Sequence, residues 1–89
     1  MYLRNKILTV DSQVIKLVNQ QFTEQEASRV LSELDKLSLD QTLSRQPTNL
    51  RNTHLAILKL AKGDPNQVCN YVGSAQKDFR DVIFWASEE

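Results

Sequence analysis

From Glu24 to Leu37 the apolar residues Ala27, Val30, Leu31, Leu34 and Leu37 recur at the three- and four-residue spacing of one helical face. Thr23 stands just before this run and Glu26 three residues after it. That pair predicts a capping box, in which the hydroxyl accepts from an orphan amide and the carboxylate returns to the cap's own amide. Upstream, Val14, Leu17 and Val18 share a face with Phe22 near its edge, and Asp11 or Ser12 offers a cap. The spacing predicts a helix over about 11–21. Leu3, Ile7 and Val10 extend this face backwards, whereas Thr9-Val10-Asp11 would equally suit the end of a short strand. Residues 1–10 are thus open between a longer helix and a flexible or separately packed segment.

Apolar density falls between Ser38 and Pro47, and Pro47 disfavours helical geometry at Gln46, so a connecting loop is expected there. Thr48 or Asn49 would cap the next helix, running to Lys62 and stopping at Gly63, the residue type that tolerates the left-handed conformation. On this helix Leu50, His54, Ile57, Leu58, Leu60 and Ala61 form a broad apolar arc opposite Arg51, Asn52, Lys59 and Lys62. An arc of that width suits a helix packed on several neighbours. Asp64 with Pro65 at the first helical position starts another helix, with Val68, Val72 and Ala75 inward. Gly73 weakens it, through close approach of a neighbour or fraying. Asp78 caps a last helix with Asp81 at its third position, burying Phe79, Val82, Ile83 and Ala86. The chain is expected to be all-α, an irregular bundle of four to five helices in a single domain over residues 1–89, centred on the Leu50–Lys62 helix.

Charge removes the generic reasons for binding polyanions: eleven basic residues balance eleven acidic ones. One cysteine, Cys69, rules out an intramolecular disulfide, and a reducing cytoplasmic location fits this usage. No apolar window approaches the ~18 residues of a membrane span, and the first ten residues lack an apolar export region. At 89 residues the stability margin is thin, so a protein partner or self-association into a homo-oligomer would help.

Catalytic chemistry is poorly provided for. The chain holds one His and one Cys, so no nucleophile–base constellation or metal-ligand cluster is visible, and neither an enzyme nor a cofactor is expected. His54, inside an apolar arc, reads as a hydrogen-bonded core or boundary histidine, and Cys69 as a small buried hydrophobe. The spacing of Asp78 and Asp81 is that of helix capping. Arg80 between them suits a bidentate pair with a carboxylate from another element, or recognition of an anion or partner together with Arg51.

Two surfaces are candidates. Phe84 and Trp85 are adjacent, so one helix cannot bury both against a single neighbour, and with Arg80 they form the expected partner-binding site. The alternative takes Gly63-Asp64-Pro65 as the bend of a helix-turn-helix, with Arg51, Lys59 and Lys62 as nucleic-acid contacts. Its would-be recognition helix, 66–76, holds no Arg or Lys, which makes nucleic acid the weaker partner.

The strings HLAILKLAKGD, His54 to Asp64, and DFRDVIFWA, Asp78 to Ala86, resemble a family of small uncharacterised bacterial all-α proteins. In that group a helix of LAILKL type ends at a Gly-Asp turn, and a later Asp-aromatic-Arg-Asp segment leads into an apolar end. The matching positions are Leu55, Ala56, Leu58, Leu60, Gly63, Asp64, Asp78, Phe79, Arg80, Asp81 and Trp85, within the last third to half of the chain. The resemblance implies an all-helical domain, carries no activity, and draws attention to Arg80 and its flanking aspartates.

Overall fold

Helical periodicity and side-chain caps become four helices in the computed structural model, which describes residues 10–37 and 47–89: α1 (Ser12–Gln21), α2 (Glu24–Leu34), α3 (Pro47–Ala61) and α4 (Pro65–Ser87). The protein is all-α. Most of the 1–10 segment and the 38–46 connector lie outside the described residues. Asp11 starts α1 by accepting from the Gln13 amide at 2.8 Å. Both bonds of the Thr23–Glu26 capping box form, at 3.1 and 3.2 Å. Asp64 accepts from the Asn66 amide at 2.9 Å, with Pro65 at the first helical position.

α2 ends three residues before the expected Leu37, because its last turn tightens. The Lys36 amide bonds the Glu33 carbonyl and the Leu37 amide bonds the Leu34 carbonyl, both at 3.1 Å. Bonds of this i→i+3 kind narrow the turn yet keep Leu37 in the core. α3 starts earlier than expected, at Pro47, which leaves Thr48 and Asn49 inside the first turn rather than capping it. Proline's fixed φ and missing amide suit the first helical position, as at Pro65. The far end of α3 stops at Ala61, since Lys62 (φ 52°) already joins Gly63 (φ 83°) in the left-handed region.

Asp78 interrupts α4 with extended geometry, φ −159° and ψ 103°, and its carboxylate accepts from the Arg80 amide at 3.0 Å. The cap foreseen there is formed, and α4 is two helical segments meeting at Asp78. With that break, five helical segments lie among the described residues.

α4 lies along α3, its largest neighbour, and along α2, while α1 packs on both α2 and α3. The apolar faces meet in one cluster. Leu34, Leu37, Ile57 and Leu58 are its largest fully buried apolar side chains, with Val14, Val18, Val30, Val68, Val72 and Val82 around them. Val10 also belongs to it, so the end of the 1–10 segment is tied to the core.

Neither explanation foreseen for Gly73 holds. It is helical, four residues before the end of the first segment of α4, and a Cβ there would meet nothing within 4 Å. Glycine at such a position costs about 1 kcal/mol of helix stability relative to alanine. Gly73→Ala is therefore expected to raise the unfolding free energy by about 0.5–1 kcal/mol in urea denaturation. A loss of stability would show that this turn of α4 is not a regular helix.

Candidate functional site

The second segment of α4 divides its side chains sharply. Val82 and Ala86 are buried in the core, and Phe79 and Ile83 are half-buried against it, a shallower placement than the sequence suggested. Phe84 and Trp85 point elsewhere, since successive helical residues are about 100° apart. Phe84 is 62% exposed and Trp85 41% exposed. These are the large exposed apolar side chains among the described residues. Trp85 is steadied on one side by Tyr71, whose ring centre lies 6.4 Å away at an interplanar angle of 59°. That tilted arrangement is favourable for aromatic pairs and leaves the indole with a free side.

Arg80 is displayed beside them, but its carboxylate comes from its own segment. Its Nε and one terminal nitrogen each donate to Asp78 at 3.0 Å, a two-point grip. The expected partner from another element is thus replaced by a residue two positions away, reachable only because Asp78 leaves helical geometry. The Arg80 side chain holds the Asp78 carboxyl below its usual range, helped by the Arg80 backbone amide, and Arg80 in turn is raised. Alongside, Asn49 and Asn52 of α3 and Phe79, Arg80 and Ile83 of α4 line a shallow groove of about 190 Å³. Arg51 is half-buried on α3 and is not among these lining residues.

The basic strip is less available than its sequence suggests. Lys59 and Lys62 are exposed, but Lys62 is joined at 3.0 Å to Glu89, which raises its pKa. Arg29 donates to Asn66 at 3.0 Å and pins α2 to the start of α4. Cys69 is exposed rather than buried. It is one position off the Val68–Val72–Ala75 stripe, and that offset was the signal in the sequence. The Glu33 carboxyl beside it is lowered chiefly by its bond to Lys36, with smaller help from the thiol.

His54 is fully buried, at 0% exposure. Its Nε2 lies 2.9 Å from the Leu34 carbonyl, and because a carbonyl can only accept, Nε2 carries the proton. This bond gives one of α2's terminal carbonyls a donor from α3. Nδ1 has no hydrogen-bond partner. Burial pushes the imidazole pKa below its ordinary value, although the Leu34 carbonyl and the carboxylates of Asp35 and Asp11 pull the other way. The neutral ring is structural: it joins two helices and faces no groove described above.

Among the described residues no group of three or more His, Cys, Asp and Glu is placed to hold a metal ion, and no helix is long and apolar enough to cross a membrane. What the fold and surface define is an all-α bundle with an exposed aromatic end. Comparison with protein families, curated proteins and solved structures gives no match that would narrow this further.

Proposed function

We propose that the chain is a non-catalytic interaction module, a small accessory protein of the cytoplasm that binds another protein or a second copy of itself through Phe84, Trp85 and Arg80. One observation carries this reading: two adjacent aromatic side chains, one 62% exposed, stand at the end of a helix whose other face fills the core. Aromatic residues and arginine concentrate binding energy at interfaces, and Arg80 is already held in one geometry, so less freedom is lost on binding. The nucleic-acid reading has weaker support, because Lys62 is engaged by Glu89 and the chain has no net charge.

Association, followed by sedimentation equilibrium for self-assembly and by retention of cell proteins on the immobilised chain, is expected to fall at least about tenfold in Trp85→Ala/Arg80→Ala. Far-ultraviolet circular dichroism should be unchanged. If every association survives in the folded variant, the reading is wrong.

A further inference from the structure

The aromatic end has a charge environment that bears on what covers it. The stretch Asp78–Glu89 holds four carboxylates, Asp78, Asp81, Glu88 and Glu89, against the single guanidinium of Arg80, a net of −3 in a chain whose total is 0. Two of these carboxylates are engaged within the fold, Asp78 by Arg80 and Glu89 by Lys62. Asp81 and Glu88 remain exposed, and they sit one turn before and one turn after the aromatic pair.

The helix itself adds to this field. The C-terminal end of an α-helix carries about half a negative charge, which proteins ordinarily offset with Lys, Arg or His in the last turn. α4 has no basic residue in its last turn, and Glu88 is its C-cap. Like charges are therefore gathered where the dipole already disfavours them. Within the fold Lys62 offsets part of this charge through Glu89, and a cationic group brought from outside would offset the part that remains at Asp81 and Glu88. Exposed aromatic surface and exposed carboxylates at a helix end whose own last turn holds no cation are separate observations, and they coincide at the same place.

We propose that this end of α4 docks a cationic amphipathic segment of another protein, its apolar face on Phe84 and Trp85 and its Lys or Arg residues against Asp81 and Glu88. The inference rests on the interaction-module reading above and adds the chemistry of the partner. Trp85 contributes twice, since its indole offers apolar area and a π face that attracts a cation. The same field repels nucleic acid and anionic lipid.

Trp85 is the only tryptophan, so its emission reports on this site directly. The full chain is titrated with a short helical peptide of leucine and lysine, and separately with its leucine–glutamate counterpart of equal apolar face. A blue shift with the lysine peptide is expected, at an affinity at least about tenfold above that for the glutamate peptide. The preference should weaken in high salt and be lost in Asp81→Asn/Glu88→Gln, while Phe84→Ala should weaken both peptides.

Equal affinity for the two peptides, with Phe84→Ala weakening both, overturns the cationic partner and leaves the interaction surface standing. A preference that persists in Asp81→Asn/Glu88→Gln also overturns it. So does a blue shift produced by phosphatidylglycerol vesicles and not by the lysine peptide, which would assign the surface to a membrane. Should Trp85→Ala/Arg80→Ala leave all associations intact, the underlying reading fails as well, and the two failures are thereby told apart.

Discussion

Ile57→Ala is expected to lower the unfolding free energy by about 2–5 kcal/mol, the range for truncating a fully buried branched side chain. Ile57 has no exposed surface and lies on α3, the helix that packs on both α1 and α4. Removing three carbons there forfeits transfer free energy and leaves a void that neighbours on several helices cannot all close. A domain of this size has roughly 4–13 kcal/mol in total, so the loss takes a large share and the variant should approach unfolding near physiological temperature. Urea denaturation measures it directly, and the volume-conserving Ile57→Leu should cost less than about 1.5 kcal/mol. If Ile57→Ala costs under about 1 kcal/mol, α3 is not the centre of the bundle.

Acid should destabilise the fold through His54. Its folded pKa lies below the ordinary value, with burial as the main cause, so the unfolded chain binds the proton more readily than the folded one. The stabilisation is fully present above the unfolded pKa of about 6.5 and is lost as pH falls through the folded pKa. One such group changes stability by at most about 1.4 kcal/mol per pH unit. Asp35 and Asp11 both favour the protonated ring and reduce the effect without reversing its direction.

His54→Gln provides the control for this effect. Glutamine can donate to the Leu34 carbonyl and does not titrate. The difference in stability between wild type and His54→Gln should therefore shift in favour of the variant as the pH is lowered from 7 to 5. A difference that stays constant with pH would mean that the folded and unfolded chains bind the proton equally, and that burial does not lower the pKa of the ring.

How much of this was legible in the sequence depended on whether the cause was local. The starts of α1, α2 and α4 were readable because a cap and the amide it satisfies lie within three residues of each other, and so was the interruption at Asp78. The start of α3 was misplaced because Thr48 and Asn49 resemble caps, while Pro47 suits the first helical position better. The Arg80 pairing was misread because it depends on the backbone angle at Asp78. His54 was readable as a core residue from its place in the apolar arc, whereas its bond to the Leu34 carbonyl spans 20 residues and is purely tertiary. The aromatic end was visible as a conflict, since adjacent Phe84 and Trp85 cannot share one buried face, but only packing decided how far each is exposed.

The central claim is that this aromatic end serves association rather than the fold. It is tested most directly by measuring association for Phe84→Ala, because Phe84 is the more exposed of the two rings. The account predicts at least about tenfold weaker association, by self-assembly or partner retention, with unfolding free energy within about 0.5 kcal/mol of wild type. Unchanged association, or a stability loss comparable to that of Ile57→Ala, would contradict it and return the aromatic end to the fold.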